Sequence, residues 1–255
     1  MANAAKGTWL GLSPARKMTI ELLHFARQVP SVPVARALNV GAVARARAQA
    51  AVPPSWTAVF VRAYGLVARR FPGLRRALIP WPYPRLYEHP HSVCALVVER
   101  EWRGETVLLG AKLRAPEDMP LGAIHRHLRR LKESPVREVS EFRQALRVGR
   151  LPGPLRRFLF WHSLQFSGAK RAKRFGTFMV SSYGSLGAEQ MHPRSFHTTL
   201  LTFGPISPAG DVTVKVVYDH RVLDGAVVAR CLNDLERVLH DEITAELRGL
   251  PRRAA

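Results

Sequence analysis

The stretch "VYDHRVLDGAVVA", residues 217–229, sets His220 four residues before Asp224 and places Gly225 directly after. An imidazole with an unperturbed pKa near 6.5 is the natural general base at neutral pH, provided a neighbour fixes its tautomer and orientation. The same spacing also suits a structural ion pair of His220 with Asp219 or Asp224, and an isolated His-x-x-x-Asp more often serves that end. The surroundings sharpen the question. A valine-rich run ends at His220, so a strand delivers the imidazole. A helical pattern opens at Gly225, so Asp224 stands where helix N–H groups or an arginine can hold a carboxylate. Gly225, lacking a Cβ, lets another backbone come close.

Stepping outward from this motif, "RKMTIELLHFARQV" (16–29) carries Met18, Leu22, Phe25 and Val29 at helical spacing before Pro30 and Pro33 end the pattern. Residues 32–40 alternate as a strand, and a helix is expected over 55–71 behind Pro53 and Pro54, with Trp56, Val59, Phe60, Ala63, Leu66 and Val67 inward. The proline-rich "IPWPYPRLYEHPH" reads as an ordered loop. "SVCALVVEREWRGETVLLGAKL" reads as a hairpin turning at Arg103 and Gly104. "APEDMPLGAIHRHLRRLKES" reads as a helix with an acidic entry. Three strands follow in "GTFMVSSYGSLG", "FHTTLLTFGPI" and "DVTVKVVYDH", then a closing helix with Val227, Leu232, Leu235, Val238 and Leu239 inward. The part over 142–175 is the least regular, and within it lies the basic, aromatic segment 151–175. It reads as a helix with an aromatic core side and solvated arginines, the alternative being a nucleic-acid or membrane-surface contact.

Composition bounds what such a chain can be. With 255 residues, 47% of them hydrophobic, it can bury a sizeable core. Lys and Arg number 39 against 19 Asp and Glu, a net +20, which favours anionic partners or reflects solvated arginine-rich faces. Cys94 and Cys231 stand far apart in neither a disulfide nor a zinc pattern, which fits a reducing cytoplasm and no metal. No window approaches the length of a membrane span, although a peripheral membrane contact stays open.

"YDHRVLDGAVVARCLNDLERVL" closely resembles the DHRxxDG signature of the dihydrolipoamide acyltransferase catalytic domain of 2-oxo acid dehydrogenase complexes. "GTFMVSSYGSLGAEQMHP" is similar to the same family's GTFTxSNxGxxG segment. Looser matches are "GAKLRAPEDMPLGAIHRHLRRLKE" around Arg114 and "PPSWTAVFVRAYGLVARRFPGL". The resemblance implies an α/β (α+β) fold like chloramphenicol acetyltransferase, a sandwich with a mixed sheet flanked by helices. It also implies a catalytic domain over 16–250, an N-terminal extension over 1–15 and a tail over 251–255.

By that resemblance the reaction is acyl transfer at a tunnel between subunits of a homotrimer, or a multiple of three, from coenzyme A or a carrier-borne thioester. His220 is then the base acting on a thiol, hydroxyl or amine acceptor, and Ser181 gives a hydrogen bond to the oxyanion. Asp224 holds an arginine, for which Arg16 is the candidate, while Gly225 and Arg114 support the site. Ser182, which stands where the family usually has an asparagine after the serine, and the following Tyr183 line the substrate; Ala115 replaces an asparagine after Arg114. Too few residues precede the first strand for a lipoyl domain, so a stand-alone form without a lipoyl group is expected, with an acyl carrier or lipoyl-bearing protein as a potential partner. The rival readings are a catalytically silent trimeric scaffold and, less favoured, a basic nucleic-acid or membrane-surface binder.

Overall fold

The computed structural model describes residues 7–252; the first six residues of the expected extension and the last three of the expected tail lie outside the described residues. Helix α1 (Pro14–Ala26) starts where Ser13 accepts a hydrogen bond from the Arg16 amide at 3.1 Å and proline occupies the first helical position. Strand β1 (Ser31–Asn39) follows. A short helix, α2 (Gly41–Ala48), is not among the elements expected from the sequence, because its eight residues carry little apolar periodicity. Helix α3 (Trp56–Arg70) is capped by Ser55 and is apolar nearly all round, so it runs through the core.

The proline-rich stretch is more ordered than a loop: β2 (Arg76–Ile79) and β3 (Arg85–Glu88) pair across it. Strands β4 (Val93–Trp102) and β5 (Glu105–Arg114) form the expected hairpin, and Arg103 and Gly104 both take positive φ, as a two-residue turn with right-handed strand twist requires. Helix α4 (Leu121–Glu133) has a negatively charged entry, but from a distant residue. Glu246 accepts from the Leu121 amide at 2.5 Å, whereas Glu117 and Asp118 sit in the preceding turn. Helices α5 (Ser140–Gly149), α6 (Gly153–Trp161) and α7 (Gly168–Phe175) give regular form to the segment that looked least regular.

Strands β6 (Phe178–Ser181), β7 (Thr199–Phe203) and β8 (Asp211–Asp219) complete a six-stranded sheet in the order β1-β8-β7-β6-β4-β5. β6 runs parallel to β4 and β7, and the other pairs are antiparallel, so the sheet is mixed. Helix α8 (Gly225–Val238) and the short α9 (Thr244–Arg248) close the chain. Side-chain alternation then divides the central strands between two faces. Phe178 and Phe203 face α3, with rings 4.9 Å from Tyr64 and 4.2 Å from Phe60. By the same alternation Ser181, Thr202, Lys215 and Asp219 point away from α3. A second apolar cluster of Phe25, Val29, Phe160, Leu164 and Phe196 joins α1 to α6.

Candidate active site

His220 is the first residue beyond β8, and its amide donates to the Pro30 carbonyl at 3.1 Å. Its side chain is exposed, and the ring lies 5.4 Å from that of Tyr218. The structural ion pair of this motif is made by Asp219, not by His220. Asp219 is 1% exposed, on the buried sheet face, and accepts from Arg221 Nε and Nη2 at 2.9 and 2.8 Å and from the Arg221 amide at 3.0 Å. Such a two-pronged, charge-assisted grip fixes the turn on which the imidazole stands. Arg221 Nη1 also reaches the Gln28 carbonyl at 3.3 Å, tying the turn to the chain between α1 and β1.

Asp224 departs from expectation. It occupies the N-cap position of α8, yet its side chain caps no N–H group, and among the described residues it forms no ion pair. Arg16 cannot serve as its partner within one chain. Arg16 lines a 230 Å³ depression with Tyr183, Glu99 and Glu105, next to the far end of β6. The physical reason is position: Asp224 sits at a surface helix entry, while the buried sheet face two residues before Arg221 holds the carboxylate that an arginine can reach. Asp224 still acts through space. The Tyr218 hydroxyl is pushed up by burial and, secondarily, by the Asp224 charge. The neighbour that Gly225 accommodates is this side chain and not a backbone, since a Cβ there would lie 3.2 Å from the Tyr218 hydroxyl.

Ser181 ends β6, half-buried, in register with Thr202 of β7, which in turn faces Lys215 of β8. The three share one face of the sheet. Thr202 Oγ1 is buried without a hydrogen-bond partner among the described residues, and Lys215 Nζ is held by Glu189 at 2.6 Å and the Gln190 carbonyl at 3.2 Å. Thr202 and Lys215 were not singled out from the sequence; the signal was a lysine interrupting the apolar run "TVKVV". Ser182 is committed to its turn, donating to the Phe203 carbonyl at 2.7 Å and accepting from the Gly184 amide at 3.0 Å. Tyr183 is exposed and forms part of the wall beside Arg16. Arg114 ends β5, exposed, and Ala115 after it holds a left-handed conformation with φ 47°. Asparagine tolerates that conformation better than alanine.

Register shows that one chain does not bring Ser181 and His220 together. His220 lies one step beyond the Thr198 level, and Ser181 lies five residues up and two strands across, so the two are about 20 Å apart at ~3.3 Å per residue and ~4.8 Å per strand. Elsewhere, His91, Glu117 and Asp118 bring potential ligand atoms within 4.8 Å of one another, with Asp118 already paired to Arg69; none belongs to the motif around His220.

This sheet order, with helices on its faces and a strand-to-helix turn carrying His220, is the fold of acyltransferases of the chloramphenicol acetyltransferase type. The chain is similar over 96% of its length, and 96% of the other's, to a dihydrolipoamide acetyltransferase of Azotobacter vinelandii at a TM-score of 0.67 and 16% identity. It is similar over 99% of both chains to a probable dihydrolipoamide acetyltransferase of Listeria monocytogenes at 0.64 and 15%. Chloramphenicol acetyltransferase itself matches at 0.51 and 14%, over 87% of this chain and 94% of that one. No protein-family model and no curated protein matches the sequence.

Proposed function

We propose that the protein is an acyltransferase that moves an acyl group from a thioester donor, coenzyme A or a carrier protein, to a thiol, hydroxyl or amine. The observation that carries this reading is the state of His220. Its backbone is clamped by the Asp219–Arg221 pair and by Pro30, while its ring is exposed and engaged by no described hydrogen-bond partner, on a fold shared with acetyltransferases. A clamped, uncommitted imidazole suits general-base catalysis. In the Azotobacter enzyme a serine, a histidine and an asparagine have been investigated for roles in catalysis, the last two four residues apart; His220 and Asp224 stand at that spacing.

In this mechanism His220 removes the proton from the acceptor as its heteroatom attacks the thioester carbonyl. The oxyanion of the tetrahedral intermediate takes a hydrogen bond from Ser181, an interaction worth a few kcal/mol where such donors have been removed from enzymes. Collapse of the intermediate breaks the C–S bond, and the departing thiolate receives the proton from the imidazolium. Because the two groups are about 20 Å apart in one chain by strand register, the reading requires the serine of one subunit to meet the histidine of another, in a trimer or a multiple of three.

Mixing tests this requirement. His220→Ala and Ser181→Ala homo-oligomers should each lose at least ~10²-fold in thioester turnover. Unfolding and refolding the two together should restore a substantial fraction of activity, because mixed oligomers contain interfaces with both residues intact. Wild-type turnover by His220→Ala would favour the silent scaffold, and two inactive variants that never complement would refute a site shared between subunits.

A further inference from the structure

We propose that the cleft between α1, α6 and the loop at Trp81 receives the acyl group of the donor, and that this group is aromatic. The inference rests on the acyltransferase reading and deepens it. The cleft has a volume of 610 Å³ and is lined by His24, Phe25, Gln28, Trp81, Phe158 and Trp161, among others. That volume lies in the range of sites for drug-sized ligands and far exceeds what an acetyl group fills.

Its walls are suited to flat rings. Trp81 meets Trp161 edge-on at 6.1 Å between centroids, and Phe158 stacks on Trp161 at 6.0 Å. Trp81 and Phe158 remain more than half exposed, so large π-faces stand open. An aromatic guest between such rings gains offset-stacked or edge-to-face contact beyond the burial of its area. The rim is positive. Glu21, buried on α1, is held by both Arg156 at 3.3 Å and Arg157 at 2.8 Å, leaving one guanidinium charge uncompensated. Arg157 also lines the cleft, with half of its side chain exposed, which favours a guest whose free acid or thioester carrier is anionic.

The cleft is close to the base. The Gln28 side chain accepts from Gln165 Nε2 at 3.2 Å inside the cleft wall, while the Gln28 carbonyl holds Arg221. Two residues later, the Pro30 carbonyl accepts from the His220 amide. Two residues of chain span at most about 7 Å, so the Gln28 edge of the cleft lies within about 10 Å of the backbone of His220.

Steady-state kinetics with phenylacetyl-coenzyme A and acetyl-coenzyme A test this, beside quenching of tryptophan fluorescence by phenylacetate and light scattering of each variant. The wild type should prefer the aromatic donor by at least tenfold in kcat/KM. In Phe158→Ala the ratio of aromatic to acetyl kcat/KM should fall at least tenfold, and quenching by phenylacetate, read with Trp81 and Trp161 both in place, should weaken likewise, with the oligomer mass unchanged. A wild type that prefers acetyl, a ratio that Phe158→Ala leaves intact, or a variant that changes oligomer mass, marking the cleft as a subunit contact, each overturns the assignment. Quenching that is lost in Phe158→Ala, when no thioester is turned over at all, would keep the aromatic site and reject acyl transfer.

Discussion

The turn after β8 and the segment 151–175 both set arginine beside carboxylates, but the protein uses the charge differently in the two places. At the turn a buried carboxylate, Asp219, is held by the exposed Arg221, and the groups that can do chemistry, His220 and Asp224, are left exposed and without ionic partners among the described residues. In the segment the arginines that a sequence reading assigns to solvent are partly structural. Arg156 is 8% exposed and bound to Glu21, and Arg171 is 7% exposed and caged by carbonyls of Leu78 and Leu164 at 3.1 Å and of Phe196 at 2.5 Å. Burial pulls the Arg171 guanidinium down to about 10, with the Asp219 carboxylate acting in the other direction. A basic residue type therefore does not announce whether it stands free or holds the fold; the acceptors packed around it decide.

Stability should separate the two regions most sharply. Arg171→Met leaves three carbonyls from three parts of the chain without their donor and should cost about 3–5 kcal/mol, a range typical of removing one member of a buried polar network. His220→Ala, at an exposed site, should change stability by less than about 0.5 kcal/mol. Urea midpoints of the two variants against the wild type measure both. Equal losses would mean that His220 is a packing residue after all.

A second contrast sets a buried histidine, His197, against the exposed His220. His197 is buried, its Nε2 donating to the Phe175 carbonyl at 2.9 Å and its Nδ1 accepting from the Ser195 hydroxyl at 2.8 Å, so it ties the end of α7 to the approach to β7. Burial above all, and the charge of Arg171, hold it at about 4 despite its bond to Phe175. Because the unfolded chain takes up that proton near 6.5, the unfolded state binds more protons across the window between. Stability should therefore fall as pH drops from about 6.5 toward about 4, by up to about 3 kcal/mol, and stay flat above. His197→Gln should flatten that slope in urea titrations from pH 7.5 to 4.5; an unchanged slope would assign it to other groups.

The elements around the turn were legible because their signals are local. Valine runs, the Arg103–Gly104 turn, Pro53 and Pro54 ahead of a helix and the spacing from His220 to Gly225 all act within a few residues. What stayed hidden depends on distant pairing. Glu246 caps α4 from more than a hundred residues away, Glu21 on α1 pairs with two arginines of α6, and Asp219 instead of Asp224 takes the arginine of the motif. None of these leaves a mark in a short window, and the separation of Ser181 from His220 emerges only once strand order and register are known.

The smallest expected effect probes the turn's least committed charge. Asp224 is exposed at the N-cap of α8 and makes neither a cap bond nor an ion pair among the described residues. Asparagine is as good an N-cap residue as aspartate, so Asp224→Asn should alter stability by less than about 0.5 kcal/mol. Its one legible influence is on Tyr218, whose hydroxyl is raised by burial first and by the Asp224 charge second. Removing the charge should therefore lower the Tyr218 pKa slightly, which a difference titration of tyrosinate absorbance between variant and wild type can read. Should the substitution instead cost 2 kcal/mol or more, the carboxylate must be paired in the assembled protein with a cation that one chain does not supply. The loss would then shrink on dilution as subunits separate, because an ion pair across an interface stabilises only the oligomer.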